Sequence, residues 1–346
     1  MKILYIARFL HGCAETYRAK TLKELGNELV TFNMYKYEKF GGRYINWMLR
    51  KTHLSNPSHY LMNKHILQAA INSKPDIIWI DKGVHVKPST LKMIKANTNA
   101  FILSEIPDNM FIGSHRTKHY LSSIPEYDLI VTDRKKDDIL ENYYKYGAKE
   151  LFIVHKGFYP IHHPIELTPK EKEEYQTDVV FCGTPAEARA NSLAYLAQNG
   201  INIKIWGDLR YWKRMKSYPV LEQFHTKKAV WWEDYVKAVN GAKIALCFLK
   251  HISGDYSTQR SFELPACGTL TIAERTEDHT NLFEEDKEMV FFENDHELLE
   301  KVQFYLSHPE ERQQIAKAGR QKSVISDYTQ ARRYREVLKK VNTLRN

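Results

Sequence analysis

Short apolar segments alternate with amphipathic segments along almost the whole chain of 346 residues. The apolar segments have four to six residues, the length of buried strands, and the segments between them have the spacing of helices. This order is typical of α/β domains built on parallel sheets. The predicted strands are 2–6, 29–33, 76–81, 100–104, 127–132, 151–154, 177–182, 202–206, 243–248, 269–273 and 289–292.

The alternation is interrupted once, by a segment with three prolines and the charged run KEKEE at residues 160–175. Proline and charge without an apolar pattern are typical of a linker. We therefore expect a first α/β domain at 1–160, a linker at 161–176 and a second α/β domain at 177–327. A last helix, 328–346, follows. The two adjacent histidines of the linker, His162 and His163, are expected to be solvent-exposed.

Several classes of protein are excluded by composition. Hydrophobic residues make up 43% of the chain and charged residues 27%, which is typical of a folded globular protein. No apolar run approaches the roughly 20 residues of a membrane span. Arg8 interrupts the apolar N-terminus, so we interpret it as a first strand and expect a cytoplasmic protein. The four cysteines are too widely spaced for a zinc site or a disulfide framework.

The net charge of +9 is unevenly distributed. Residues 1–100 contain 16 Lys and Arg against 6 Asp and Glu, whereas residues 251–300 contain 3 against 13. A nucleic-acid-binding protein would combine a basic stripe with a recognisable module and stacking aromatics, which this chain lacks, so we expect no nucleic-acid partner. The basic first domain suits an anionic or membrane-associated partner, and an ordinary solvated surface explains it equally well.

The segment 254–273, GDYSTQRSFELPACGTLTIA, has the most informative pattern. A strand leads into a Gly-containing loop, and a helix begins near Thr258. The N–H groups of a helix N-terminus together with Arg260 suit a diphosphate. The carboxylate of Glu263, one turn later, could accept two hydrogen bonds from a ribose diol. A capped helix with a surface carboxylate would give the same spacing.

The same segment resembles the donor-binding segment of group-1-type glycosyltransferases, and among them the branch named after spore-maturation proteins. The resemblance continues through FEEDKEMVFFENDHELLEKVQFYLSHPEERQQIAKAG and includes DVVFCGTPAEARANSLAYL, which opens the second domain. The resemblance is close over about residues 177–335. Over residues 1–160 it is weaker and lies mainly in the order of the predicted strands and helices. It implies the α/β GT-B fold, in which two Rossmann-like domains face each other across a cleft and the last helix crosses back to the first domain.

The resemblance also implies site residues. Glu263 would bind the ribose of a nucleotide-sugar donor, and the diphosphate would be bound by residues of two loops. These are Gly183, Thr184, Arg189, Thr258 and Arg260. Asp255 matches the first glutamate of the family's two-glutamate signature, although Asp is one methylene shorter. The resemblance implies that neither metal nor cofactor is required, and the sequence has no D-x-D triplet.

Candidates for an acid or base come from the ends of strands in the first domain, where such sheets bind ligands. His11 follows the first strand, and Asp108 follows the fourth. Asp81 and Glu105 occupy similar positions. A solvated histidine and a turn-forming aspartate are the alternatives for the first two.

We therefore predict an enzyme that transfers a sugar from a nucleotide-diphosphate donor to a glycan, a lipid-linked or a protein acceptor. Peripheral association with the inner face of the membrane stays open. One alternative is a GT-B nucleotide-sugar epimerase. The other is a non-catalytic protein that binds a nucleotide sugar or a glycan, or a basic adaptor on anionic lipid or nucleic acid.

Overall fold

The computed structural model describes residues 1–38 and 56–346. It divides into two compact units, of which the first comprises Met1–His155 with Gln330–Asn346 and the second Lys156–Thr329. Each unit contains one fully parallel sheet with helices, so the predicted α/β class is confirmed.

The sheet of the first unit has the strand order β2-β1-β3-β4-β5-β6. Its strands are β1 (Lys2–Ala7), β2 (Glu28–Asn33), β3 (Ile77–Asp81), β4 (Phe101–Ile106), β5 (Leu129–Thr132) and β6 (Leu151–Ile153). Its helices in the described residues are α1 (Glu15–Glu24), α2 (Tyr35–Glu38), α3 (Pro57–Ser73), α4 (Pro88–Asn97), α5 (Lys118–Ser123) and α6 (Asp137–Lys145), together with the chain's last helix, Gln330–Arg345. All five residues of β3 are buried, because both faces of a parallel sheet are covered by helices.

The sheet of the second unit has the order β11-β10-β9-β7-β8. Its strands are β7 (Thr177–Cys182), β8 (Ile203–Trp206), β9 (Ala242–Cys247), β10 (Leu270–Glu274) and β11 (Val290–Phe292). Its helices are α7 (Pro169–Tyr175), α8 (Glu187–Gln198), α9 (Leu209–Trp212), α10 (Trp232–Asn240), α11 (Arg260–Ala266), α12 (Glu277–Leu282), α13 (Asp295–Ser307) and α14 (Pro309–Ile325). The last helix of the chain is α15.

The turns between helices and strands follow local chemistry. Gly26 and Gly147, which follow α1 and α6, have φ of +82° and +86°, a conformation that glycine adopts without strain. The expected linker contains α7, whose first turn is closed by a capping box between Thr168 and Glu171. Proline and charge there belong to a short, well-capped helix as well as to irregular chain.

The last helix, α15, packs on the sheet of the first unit. Its apolar positions Tyr334, Val337, Leu338 and Val341 are buried in the same cluster as Trp79 of β3. Their helical spacing was visible in the sequence. None of the helices that the structure describes is long and apolar enough to span a membrane.

Candidate functional site

The loop after β7 is held in place by a buried arginine. Arg189, in the first turn of α8, donates from Nη1 to the carbonyl of Thr184 at 3.1 Å and from Nε to the carbonyl of Leu249 at 3.3 Å. Its side chain thereby joins the ends of β7 and β9. Burial lowers the pKa of Arg189 to about 10, and the nearby charge of Arg260 adds to this effect. Two guanidinium groups therefore lie close together at this edge of the sheet.

Arg260, the first residue of α11, reaches the same loop. Its Nη1 donates to the carbonyl of Cys182 at 3.3 Å, and its guanidinium lies 5.7 Å from the centre of the Phe181 ring. Its Nε is buried and has no hydrogen-bond partner among the described residues. A Cβ at Gly183 would approach Nη1 to 3.2 Å, so glycine leaves room for this guanidinium. The two arginines together provide positive charge for an anion.

Glu263 lies one turn after Arg260 and is 13% exposed in its side chain. Nε2 of His162 approaches its Oε1 to 3.5 Å. Because Nδ1 of His162 accepts a hydrogen bond from the N–H of Tyr159, the neutral ring carries its proton on Nε2, facing the carboxylate. Burial lowers the pKa of His162 below its usual value, and the charge of Glu263 opposes this.

The expectation that His162 is solvent-exposed is therefore wrong, since it is only 3% exposed, whereas His163 is exposed as predicted. Tyr235 packs edge-on against the His162 ring. The pKa of Tyr235 is raised by burial and by the charge of Glu263, while Arg260 opposes the shift. The charges of Glu263 and Arg260 therefore both influence the pKa of Tyr235.

The segment before α11 is held by hydrogen bonds that the sequence did not reveal. The backbone N–H of Thr258 donates to Oγ of Ser261 at 2.9 Å, so this N–H is already bonded within the chain. Oγ of Ser261 also contacts Nε2 of His279 at 2.7 Å. Both side chains are fully buried. The sequence signal for this hydrogen bond is the position of Ser261, three residues after Thr258, because a serine at that spacing can accept from the backbone N–H.

Asp255 lies in the loop between β9 and α11. Its carboxylate accepts a hydrogen bond from the N–H of Lys250 at 3.0 Å. Glu274, the last residue of β10, accepts from the N–H of Leu249 at 2.6 Å and contacts Nε2 of His251. Glu274 therefore anchors the same loop from the neighbouring strand. Glu274 lies at the carboxyl end of a parallel strand, which is the sequence feature that selected the candidate residues of the first domain.

The remaining candidates belong to the first unit. His11 is exposed, in the turn after β1. The carboxylate of Asp108 forms an ion pair of 2.7 Å with Lys82. Burial alone would lower the pKa of Lys82, but Asp108 outweighs it and raises this pKa above the usual value. Asp81 is buried, bound by Arg18 and by the hydroxyl of Tyr5.

Glu105 is also fully buried. Its carboxylate accepts hydrogen bonds from Nε1 of Trp79 at 2.9 Å and from the hydroxyl of Tyr334 at 3.0 Å. The carboxylate therefore joins β3, β4 and α15, and its position at a strand end reflects packing of the last helix.

Part of the chain matches the model of a known family. Residues 189–339 match the family model described as "Glycosyl transferase-like". This segment contains Arg189, Asp255, Thr258, Arg260 and Glu263. Among curated proteins, none is similar enough in sequence to count as a match.

Solved structures share the fold of the whole chain. HepE from Anabaena, in complex with UDP-glucose, superposes with a TM-score of 0.67 at 12% identity, covering 99% of this chain and 100% of HepE. A glycosyltransferase from Rickettsia africae gives 0.68 at 16% identity, covering 99% and 98%. Sucrose-phosphate synthase from Thermosynechococcus elongatus gives 0.66 at 10% identity, covering 99% and 100%.

The solved structures share the α/β fold of this chain, and most of the family segment lies in the unit that contains the two arginines and Glu263. Residues 189–339 are thus similar in sequence to glycosyltransferases, and the chain shares its fold with solved structures that include a glycosyltransferase.

Proposed function

We propose that the second unit binds a nucleoside-diphosphate sugar, and that the enzyme transfers the sugar to a glycan, a lipid-linked or a protein acceptor. The observation that carries this proposal is the pair Arg189 and Arg260 around the loop Gly183–Thr184, with Glu263 one turn further along α11. Positive charge next to a partly exposed carboxylate fits a ligand with a diphosphate and a vicinal diol.

In this proposal Arg260 binds the diphosphate. Its unsatisfied Nε supports that role, because a buried guanidinium N–H without a partner gains a hydrogen bond when an anion arrives. Arg189 positions the loop by its bonds to backbone carbonyls and adds charge without a direct contact. Glu263 binds the ribose, and His162 orients its carboxylate.

We propose further that the reaction proceeds without a metal ion. The two guanidinium groups supply positive charge for the leaving diphosphate. No group of three His, Cys, Asp or Glu side chains in residues 1–38 and 56–346 is arranged to hold a metal. The candidates for chemistry at the sugar or the acceptor are Asp255 in the second unit, and His11 and Asp108 in the first, where Asp108 is paired with Lys82.

Glu263→Gln tests the proposal, because it removes the charge and keeps the shape. A hydrogen bond to a charged group is worth about 1.5–3 kcal/mol, so affinity for the donor should fall about 10- to 150-fold. UDP-glucose is the first probe, since HepE was solved with it. Isothermal titration calorimetry gives the affinities, and the matched control is Glu166→Gln, an exposed carboxylate of the same unit. If the wild type binds no nucleoside diphosphate and no nucleotide sugar, the proposal fails.

Two other functions are separated by turnover. An epimerase would change the sugar of the nucleotide donor without any acceptor. A non-catalytic binding protein would bind the nucleotide sugar and release no nucleoside diphosphate with any acceptor. A transferase releases nucleoside diphosphate when its acceptor is added.

A further inference from the structure

A cavity of about 530 Å³ lies in the second unit, lined by the segment that connects β8 to α10. Its walls contain six apolar or aromatic residues, three lysines, one glutamate and one histidine. These are Leu209, Trp212, Met215, Tyr218, Pro219, Leu221, Lys213, Lys216, Lys227, Glu222 and His225. The residues that line this cavity include neither the loop after β7 nor Arg189 and Arg260. The proposed function does not use the cavity.

The charges around this cavity are unbalanced. Within the part of the chain that the structure describes, no ion pair includes Lys213, Lys216 or Lys227. Glu222 is the single acidic residue of the lining. Three ammonium groups at one apolar cavity favour an occupant that carries negative charge at one end.

His225 adds an unsatisfied donor. Its Nδ1 accepts a hydrogen bond from the N–H of Lys227 at 2.8 Å, so the neutral ring carries its proton on Nε2. The residue is 8% exposed, and Nε2 has no hydrogen-bond partner among the described residues. Buried donors in folded proteins are nearly always paired, and an unpaired one at a cavity wall points to a ligand.

The composition of the same segment indicates what kind of ligand this is. Residues 209–231 contain six Lys and Arg against one Glu, and two of the six, Arg210 and Lys228, are paired with Asp208 and Glu174. Tyr211 and Trp231, at the two ends of the segment, are 44% and 48% exposed. Exposed tyrosine and tryptophan next to lysine and arginine are the residues that proteins place at the interface between an anionic membrane and water.

We propose that this cavity binds the phosphate end of a lipid, with the phosphate at Lys213, Lys216 and Lys227 and the first part of the alkyl chain against Trp212, Met215 and Leu221. Tyr211 and Trp231, the exposed aromatic residues of the same segment, enter the interfacial layer. The second unit thus carries a lipid-phosphate site in addition to its donor site. The bond of 3.0 Å from Nε1 of Trp212 to the carbonyl of Gly183 joins the cavity wall to the donor loop.

The experiment uses octyl phosphate as the soluble probe, with inorganic phosphate and octanol as its two halves, and calorimetry as the readout. Octyl phosphate should bind, and each half alone should bind at least tenfold more weakly. Equal binding of inorganic phosphate would show an anion site without a lipid chain and would overturn the proposal. Binding of octanol as tight as that of octyl phosphate would show that the lysines do not contribute, and it would also overturn the proposal.

Vesicles then separate a lipid from a free phosphate ester. The protein should co-float with phosphatidylcholine vesicles that contain phosphatidic acid, and not with phosphatidylcholine alone. Binding of octyl phosphate without binding of these vesicles would refute the lipid as the source of the phosphate.

A triple variant, Lys213→Ala, Lys216→Ala and Lys227→Ala, locates the site. Each lysine near an anionic membrane contributes about tenfold or less to binding, so the vesicle affinity should fall on the order of 100-fold. The control triple, Lys170→Ala, Lys172→Ala and Lys317→Ala, removes the same charge from exposed positions of the same unit. An equal loss in both triples would mean a nonspecific charge effect and would overturn the site.

Met215→Gln tests the apolar wall, and it should weaken octyl phosphate without changing the response to inorganic phosphate. UDP-glucose affinity is measured on every variant. Retained donor binding with lost lipid binding distinguishes failure of this site from failure of the proposed function.

Discussion

Glu105 allows a prediction that separates packing from catalysis. Glu105→Ala leaves the N–H of Trp79 and the hydroxyl of Tyr334 without an acceptor in a fully buried site. It also removes the carboxylate that lies 3.5 Å from Nη2 of Arg333, which is 4% exposed. Breaking a buried ion pair from one side costs about 3–5 kcal/mol, because the remaining charge loses its partner.

The assay is urea unfolding followed by circular dichroism. Glu105→Ala should lower the free energy of unfolding of the first unit by about 3–5 kcal/mol, and Tyr334→Phe by about 1.5–3 kcal/mol, the value of a hydrogen bond to a charged group. Glu28→Ala is the matched control, since its side chain is 66% exposed and its pair with Lys2 is worth less than about 1 kcal/mol.

A loss of less than about 1 kcal/mol in Glu105→Ala would refute the reasoning about packing. Unchanged stability with reduced sugar transfer would instead assign Glu105 to the chemistry, as its position near the carboxyl end of β4 first allowed. The double variant with Tyr334→Phe should cost less than the two single variants together, because both remove the same bond.

Three further predictions concern pH and the donor site. Burial, with His59 and His119, lowers the pKa of His85 to about 3, so the unfolded chain takes up its proton first, near pH 6.5. The free energy of unfolding should therefore be highest above pH 7.5 and about 2 kcal/mol lower at pH 5. Urea unfolding at both pH values measures this difference. If His85→Gln loses the same free energy of unfolding between the two pH values, the prediction is contradicted. In Gly183→Ala, the new Cβ lies 3.0 Å from Cζ of the buried Phe181 and 3.2 Å from Nη1 of Arg260, so the Arg260 guanidinium must shift and UDP-glucose affinity measured by calorimetry should fall. Wild-type affinity in that variant would show that the guanidinium has room to move. His162→Phe should weaken UDP-glucose because Glu263 loses its neighbouring N–H, and His162→Gln should restore part of the affinity; equal affinities in all three proteins would exclude this positioning role.

Much of the fold was predictable because its signals are local. Strand β7 has the predicted bounds, and the other strands differ from the predicted ones by one or two residues at their ends. Helices α2, α4, α5, α7, α9 and α12 were not predicted, and most of them are short stretches within polar sequence. Arg260 and Glu263 were selected as candidates by their spacing in one helical turn, and their roles at a donor were implied by the family resemblance.

The sequence by itself determined the alternation of strands and helices, the division into two α/β units and the segment of α11 that resembles a donor site. All of these depend on neighbours within a few residues. Only the tertiary structure decided which polar side chains meet. Tyr334 donates a hydrogen bond to Glu105, which is 229 positions away in the chain. His162, within the expected linker, lies next to Glu263. Such pairings depend on strand order and helix packing, and a buried carboxylate takes the partner that the fold brings to it, whatever its distance in sequence.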